Sequence, residues 1–250
     1  MKLKRRLVNN IDSCNRICLW SGPRNVSTAM MYSFSQRQDT LVYDEPFYAY
    51  YLHKTNAKTY HPGAEEIIKS LPIDYSKVVD SIVGKHEKPV AFFKNMTHHL
   101  LDDDISFTNH TKNIILVRDP LDMLPSFDKV ISNPSIDDVG YKSSLALLNR
   151  LKQNNSHVLV LDSKNLLMNP HKILLKLCES LKIKFDSCML SWKKGPIKED
   201  GIWAKHWYNN VHKSTGFNPY SEKKEAFPNH MRLLLDECLP YYNELMKFSI

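Results

Sequence analysis

Residues 16–34, RICLWSGPRNVSTAMMYSF, join a short apolar run to a helical pattern through a turn of polar residues. The apolar run is typical of a buried strand, and Val26, Met30 and Phe34 then recur at the spacing of one helical face. In an open parallel sheet, ligands bind where a strand ends and a helix begins. Because the first turn of a helix has unpaired N–H groups, we predict that this junction binds an anion.

Four further apolar segments follow the junction, and helical patterns separate them. Short strands that alternate with helices indicate a three-layer α/β fold, in which helices flank a mostly parallel sheet. We expect one domain over residues 1–250. The predicted strands are 16–20, 40–46, 88–96, 113–120 and 156–163, and the later helices are 122–131, 140–153, 169–183 and 229–248. We expect the last helix to break near Pro240.

The composition is that of an ordinary globular protein, with 42% hydrophobic and 24% charged residues. The net charge of +7 favours anionic ligands. The sequence contains no long run of like charges, so we predict no nucleic-acid partner. The basic start, MKLKRRLVNN, precedes no apolar segment, so we predict neither a secretory signal nor a membrane anchor. Five cysteines without C-x-x-C spacing indicate reduced thiols rather than disulfides or zinc. We therefore expect a cytoplasmic protein with no membrane partner and no metal.

The turn SGPRNVST has the residue types of a phosphate-binding loop. Gly22 permits a tight turn, Arg24 supplies a fixed positive charge, and Ser27 and Thr28 supply hydroxyl donors. The turn lacks the lysine and second glycine of a Walker A motif, which disfavours nucleotide hydrolysis. An alternative interpretation is an ordinary helix cap, with Asn25 or Ser27 as the capping residue.

A second polar motif lies in ILVRDPLDMLPSF, at the end of the predicted fourth strand. Arg118 ends the strand, and Ser126 follows eight residues later. An arginine fork and a hydroxyl are suited to clamp a second phosphate. The alternative is a surface ion pair between Arg118 and Asp119 beside a helix cap.

Together, the two motifs resemble the sulfotransferase family, whose members use 3′-phosphoadenosine 5′-phosphosulfate (PAPS). The resemblance rests on strand–PR-x-x-S-T–helix followed by strand–RDP–five residues–Ser, within residues 16–185. It implies an α/β fold of the P-loop nucleotide-binding type and a donor site in two parts, with the phosphosulfate near the turn and the 3′-phosphate near the second motif. The implied donor-binding residues are Gly22, Arg24, Asn25, Ser27 and Thr28 in the turn, Arg118 and Ser126 in the second motif, and Lys213 in the later KSTG segment.

One difference from the family pattern lies in the turn. Family members commonly have Ser-Gly where this chain has Asn25 and Val26. Because valine does not adopt a positive φ at low cost, we expect the turn to take a different shape here.

Two predicted strand ends supply candidates for the base that takes the acceptor's proton. Glu45, in YDEPF, resembles the base of the tyrosyl-protein and bacterial carbohydrate branches. Lys94, with His98 four residues later and His99 beside it, resembles the arrangement in small-molecule sulfotransferases. Histidine has the better intrinsic pKa, whereas a glutamate needs its pKa raised by burial. The alternative for Glu45 is that it only neutralises the charge of Arg24. For Arg24, the resemblance implies that it stabilises the negative charge on the leaving group.

Between residues 193 and 228 the regular pattern disappears, and tryptophan, histidine, lysine and glycine become dense. A long irregular segment in a compact domain is usually functional, so we predict an aromatic and basic loop or lid. Trp203, Trp207 and Tyr208 are candidates for an acceptor pocket or for stacking on adenine.

These features predict a PAPS-dependent sulfotransferase that acts on a hydroxyl or amine of a small molecule. One alternative is a P-loop kinase or nucleotide hydrolase, in which Asp119 would bind magnesium. Another is a non-catalytic nucleotide-binding protein of the same fold, which Val26 favours. The motifs leave the acceptor's identity and the oligomeric state open.

Overall fold

The computed structural model describes residues 14–101, 104–222 and 225–250, so the predicted absence of a signal or anchor at the basic start lies outside the described residues. In the described ranges, five parallel strands form one sheet. They are β1 (Asn15–Ser21), β2 (Thr40–Asp44), β3 (Val90–Met96), β4 (Lys112–Val117) and β5 (Val158–Asp162). Their order across the sheet is β2-β3-β1-β4-β5. All five predicted strands form, and the predicted α/β fold is confirmed.

Helices connect the strands and cover both faces of the sheet. They are α1 (Ser27–Ser35), α2 (Tyr48–Lys54), α3 (Ala64–Ser70), α4 (Tyr75–Val83), α5 (Pro120–Phe127), α6 (Ile136–Val139), α7 (Tyr141–Gln153), α8 (Ser163–Met168), α9 (Pro170–Ser180), α10 (Ala204–Trp207), α11 (Asn209–His212) and α12 (Arg232–Met246). The predicted helices correspond to α5, α7, α9 and α12 with shifted bounds. None of the predicted helices corresponds to α2, α3 or α4.

Successive side chains of β1 belong alternately to two apolar cores, one on each face of the sheet. Ile17 and Leu19 face the core that contains α1 and α9, whereas Cys18 and Trp20 face the core that contains α5, α7 and α12. Successive side chains of a strand point to opposite faces, so a strand that is apolar at every position is buried on both sides. This produces the three layers.

The predicted break near Pro240 is wrong, because α12 continues through this proline. Proline lacks the N–H that would bond to the carbonyl of Asp236, four residues earlier. Both residues are exposed, so water can replace the lost partner. At 15 residues α12 is the longest helix described, and no helix in the described ranges has the length and apolar character of a membrane span.

The parallel strands bring their carboxyl ends to one edge of the sheet. The turn at residues 21–28 follows β1, Glu45 follows β2, and Arg118 follows β4. The register places Asp44 directly beside Lys94 on β3, and the Glu45 N–H donates to the Lys94 carbonyl at 2.7 Å. This edge is where ligands bind in such sheets.

The turn after β1 contains the left-handed conformation that valine was expected to avoid, whereas a shape different from the family's turn stays a prediction. Val26 itself has φ 59° and ψ 16° and precedes α1. Arg24 (φ 60°) and Glu45 (φ 44°) also have positive φ at this edge of the sheet. Such conformations are costly for residues other than glycine, and they concentrate at functional sites.

Substitutions at Val26 should reverse the usual order of alanine and glycine. Elsewhere alanine is the more stabilising, but at a positive φ its Cβ is strained. We expect the free energy of unfolding of Val26→Gly to exceed that of Val26→Ala by about 1 kcal/mol, as measured by urea denaturation. At Ala29, inside α1, the Ala29→Gly change should instead cost about 1 kcal/mol. Equal stability of the two Val26 variants would contradict the strained conformation.

Candidate active site

A cavity of about 320 Å³ opens at the carboxyl edge of the sheet. The turn after β1, the ends of β2, β3 and β4, helix α5 and the segment after α10 all contribute to its lining. The predicted site residues that line it are Arg24, Asn25, Ser27, Thr28, Glu45, Lys94, His98, Arg118 and Ser126. The structure therefore brings residues from four separate sequence segments to one cavity.

Two predicted residues, Gly22 and Lys213, are not part of the lining. A Cβ at Gly22 would lie 2.5 Å from the carbonyl oxygen of Val139, so this glycine permits close packing of two backbones. Lys213 is exposed, although its neighbour Ser214 lines the cavity. A donor-binding role for either residue stays a prediction without support from the geometry.

The N-terminus of α1 points its free N–H groups toward this region. No side chain caps the helix, and its first turn contains no acidic residue. The alternative of a cap by Asn25 or Ser27 is therefore not realised. The Asn25 side chain instead donates from Nδ2 to the carbonyl of Leu116 at 3.1 Å, which ties the turn to β4.

Arg24 and Arg118 join the two motifs. Arg24 Nε donates to Ser126 Oγ at 3.1 Å, and Arg118 donates to the Arg24 carbonyl at 3.0 Å. No carboxylate of the described ranges lies within 4.0 Å of either guanidinium group, so the alternative Arg118–Asp119 ion pair does not form. Burial, and then the charge of Arg118, lower the pKa of Arg24. Two arginines without counter-ions beside an uncapped helix favour a bound anion.

A buried polar cluster around Lys94 also contributes to the cavity. Lys94 is fully buried, and its Nζ donates to Asp44 Oδ1 at 3.0 Å, to Tyr208 OH at 2.7 Å and to Glu45 Oε1. The Tyr208 hydroxyl donates to Asp44 at 2.7 Å and accepts a hydrogen bond from Trp203 Nε1 at 3.1 Å. The cluster therefore links the ends of β2 and β3 to the segment around α10.

The environment of the cluster shifts two protonation equilibria. Burial raises the pKa of Glu45; attraction by Lys94 opposes this, and repulsion by Asp44 adds to it. Burial alone would lower the pKa of Lys94, but the two carboxylates outweigh burial and raise it. A carboxylate in a cavity with a raised pKa is suited to accept a proton near neutral pH.

Of the histidines after β3, His99 is buried and His98 is half-buried, and the pKa of each is lowered. Burial, and then the charge of His61, lower the pKa of His98 to about 3. His99 stacks on Tyr48 and Tyr51 with ring centroids 4.8 and 4.5 Å apart, and burial lowers its pKa well below the usual value. A side chain with so low a pKa is a weak base, so the geometry favours Glu45 over His98.

The predicted loop at 193–228 is partly ordered, because it contains α10 and α11. Trp203 is 2% exposed and Tyr208 is 4% exposed, so both belong to the core. Trp207 lines the cavity, and its carbonyl accepts a hydrogen bond from Arg24 at 3.2 Å. Buried Trp203 and Tyr208 therefore anchor the segment to the protein core, and both Trp207 and Tyr208 line the cavity.

Several cavity residues were not predicted from the sequence. Tyr48, His61 and Asp138 line the cavity, and they lie outside the two motifs. Asp44 belongs to the buried cluster around Lys94. Its position near the end of a predicted strand is the feature of the sequence that could have indicated this. In the described ranges, no group of three or more histidine, cysteine, aspartate or glutamate side chains is arranged to hold a metal ion.

Comparison with known sequences finds a family that matches most of the chain. The profile of a family described as "Sulfotransferase domain" matches residues 15–249. Branched-chain-amino-acid aminotransferase-like proteins 2 and 1 of Arabidopsis thaliana are each 39% identical over 228 residues, which is 90% of this chain and 40% of each relative. The chain thus spans about 40% of the length of the curated relatives it matches.

Comparison with solved structures finds the same fold. The sulfotransferase domain from the Synechococcus PCC 7002 olefin synthase has a TM-score of 0.55 at 15% identity, covering 94% of this chain and 98% of that one. The sulfotransferase domain from the curacin biosynthetic pathway also has 0.55 at 15% identity, with 91% and 98% covered. A sulfotransferase from Alicyclobacillus acidocaldarius has 0.53 at 9% identity, with 94% and 97% covered.

Proposed function

The chain belongs to the sulfotransferase-domain family, and we propose that it transfers a sulfuryl group from PAPS to a hydroxyl or amine of a small-molecule acceptor. The observation that carries the proposal is the pair Arg24 and Arg118 without carboxylate partners, beside the uncapped N-terminus of α1. The aminotransferase-like names belong to the longer relatives, and we propose no such activity for this chain.

The donor has two anionic groups, and the cavity has two arginines to receive them. In the proposed arrangement Arg24, Ser27 and Thr28, with the N–H groups of the first turn of α1, hold the phosphosulfate. Arg118 and Ser126 hold the 3′-phosphate. The contact between Arg24 and Ser126 supports this arrangement, because it joins side chains of the two motifs by a hydrogen bond.

The proposed reaction is an in-line displacement at sulfur. The acceptor oxygen or nitrogen forms a bond to sulfur while the bond between sulfur and the 5′-phosphate oxygen breaks. Glu45 takes the proton of the acceptor, and Lys94 orients the Glu45 carboxylate through their hydrogen bond. Arg24 stabilises the negative charge that develops on the departing adenosine 3′,5′-bisphosphate.

The proposal is tested by calorimetric titration with adenosine 3′,5′-bisphosphate, 5′-AMP and magnesium-ATP. We expect the bisphosphate to bind without metal and at least about tenfold more tightly than 5′-AMP, because a charge-assisted contact to the 3′-phosphate is lost in AMP. The Arg118→Ala variant should lose this preference. Arg232→Ala, which removes an exposed arginine at the start of α12, should keep it.

Equal binding of 5′-AMP or magnesium-ATP, or an unchanged preference in Arg118→Ala, would overturn the proposed donor. The kinase or hydrolase alternative would require Asp119 to hold magnesium. In the structure its carboxylate accepts the Leu121 N–H at 2.9 Å as the cap of α5, and Asp119 is not part of the cavity lining. No observation therefore favours that alternative.

A further inference from the structure

The cavity has a carboxylate that the proposed chemistry does not use. Asp138, in α6, lines the cavity. Its Oδ2 accepts hydrogen bonds from the Ser135 N–H at 2.8 Å and the Ser135 hydroxyl at 2.6 Å, which close the capping box of α6. Its Oδ1 accepts only the Tyr60 hydroxyl, at 2.8 Å. One carboxylate oxygen therefore keeps capacity for a further donor.

Asp138 has no counter-ion in the described part of the chain, since no lysine, arginine or histidine nitrogen there lies within 4.0 Å of its carboxylate. Burial alone would raise its pKa, but hydrogen bonds from Ser135 and Tyr60 outweigh burial and hold the pKa below its usual value. The nearby imidazoles do not neutralise it, because burial lowers the pKa of His61 to about 4 and that of His98 to about 3.

Tyr60 links Asp138 to the aromatic side chains of the cavity, because its hydroxyl donates to Asp138 and its ring lies 5.1 Å from that of His61. The rings of Tyr48 and His61 contact each other with centroids 5.8 Å apart, and Trp207 lies 6.2 Å from His61. His99 is 1% exposed, and its Nδ1 has no hydrogen-bond partner although the residue lines the cavity. Electron-rich rings beside a carboxylate that has no counter-ion attract an organic cation. A buried nitrogen without a hydrogen-bond partner favours a polar ligand.

The charges of the cavity residues suit different ligands at its two ends, an anionic donor near the arginines and a cationic acceptor near Asp138. Arg24 and Arg118 stand without counter-ions at the donor end, whereas Lys94 is neutralised by Asp44 and Glu45. An anionic acceptor would meet the unpaired carboxylate of Asp138 and no free lysine or arginine among the described residues beside it. A cationic acceptor gains an ion pair there.

We propose that the acceptor is a small amino alcohol or a related compound, whose ammonium group binds between Asp138 and the rings of Tyr48 and Trp207. In this position its hydroxyl group faces Glu45, which also lines the cavity. The reaction it undergoes rests on the proposed function, but the recognition of the cation does not.

The test compares choline with 3,3-dimethylbutan-1-ol, which has the same shape and hydroxyl group but no charge. Both are titrated calorimetrically into the full chain without nucleotide. We expect choline to bind at least about tenfold more tightly, a difference of about 1.4 kcal/mol. Asp138→Asn, which keeps an oxygen for the Ser135 donors, should make the two affinities equal. Asp137→Asn, whose exposed carboxylate lies one residue away and outside the cavity lining, should keep the preference.

Equal or tighter binding of the neutral alcohol, or no binding of either compound, would overturn the inference. So would a preference that survives in Asp138→Asn. The wild-type comparison decides the question even if this variant is unstable. Because no nucleotide is present, the outcome is independent of the bisphosphate titration, and failure of the proposed donor site would be seen only there.

Discussion

Replacement of Glu45 by glutamine should lower the turnover number for sulfuryl transfer by about 10²- to 10⁴-fold, the usual contribution of a general base. Glutamine preserves the shape of the side chain but cannot accept the proton. The affinity for adenosine 3′,5′-bisphosphate should be unchanged, because the arginines and α1 hold the nucleotide in the proposed site. The measurements are steady-state kinetics with PAPS and an acceptor, and calorimetry with the bisphosphate.

The pH profile separates a base from a merely structural residue. Wild-type turnover should fall as the pH is lowered through the raised pKa of Glu45, because the protonated carboxyl accepts no proton. Glu45→Gln should lack this limb, whereas His98→Gln should keep it. Glu66→Gln, at an exposed carboxylate outside the cavity lining, should behave as wild type. A variant of Glu45 that stays active while His98→Gln or His99→Gln loses activity would assign the base to the histidines.

Replacement of Lys94 by methionine should lower the free energy of unfolding by about 3 to 5 kcal/mol, the usual cost of removing one partner of a buried ion pair. Methionine fills a similar volume, so the loss is mainly electrostatic. It leaves Asp44 and Glu45 buried side by side without the ammonium group that neutralises them. Chemical denaturation at pH 7 measures this loss.

The loss of free energy of unfolding in Lys94→Met should become smaller as the pH is lowered. The direction of this pH dependence follows from the number of protons that each folded protein binds. Without Lys94 the pKa of Glu45 rises further, so there is a pH range in which the folded variant binds a proton that the folded wild type does not bind. Because the folded variant holds this extra proton, lowering the pH favours its folded state relative to wild type. A cost that grows as the pH falls would contradict the assignment.

A surface pair serves as the matched control. Lys205 Nζ donates to Glu66 at 2.8 Å, but both side chains are more than half exposed. The Lys205→Met change should therefore cost only about 0.2 to 1 kcal/mol. If the two methionine variants were equally stable, burial of the Lys94 cluster would not be the source of the effect.

Local patterns in the sequence were sufficient to predict the sheet and the end of the cavity that contains Arg24 and Arg118. The strands were predictable because buried strands are short, apolar and bounded by turns, which is visible in segments such as residues 16–20. The contribution of Arg24, Ser27, Thr28 and Arg118 to one cavity follows from parallel strands, whose carboxyl ends share an edge. Each of these inferences needs only a few neighbouring residues.

Long-range packing was not predictable in this way. Lys94 and Asp44 are 50 residues apart, and Tyr208 is 164 residues from Asp44, so no local pattern indicates their hydrogen bonds. Asp138 reads as an ordinary capping residue in the sequence, and only the folded chain places it in the cavity. Val26 shows the same limit, because the surrounding structure imposes a backbone conformation that valine does not prefer.

The choice between the two candidate bases shows which properties the sequence determines and which depend on the tertiary structure. The sequence alone predicted that Glu45 and His98 follow two consecutive strands of the chain, and histidine has the better intrinsic pKa. The tertiary structure reversed that preference. Burial raises the pKa of Glu45 and lowers that of His98 to about 3, because the apolar interior disfavours the charged form of each. Residue type sets the chemistry available to a side chain, and its burial in the folded chain sets the protonation state in which that chemistry operates.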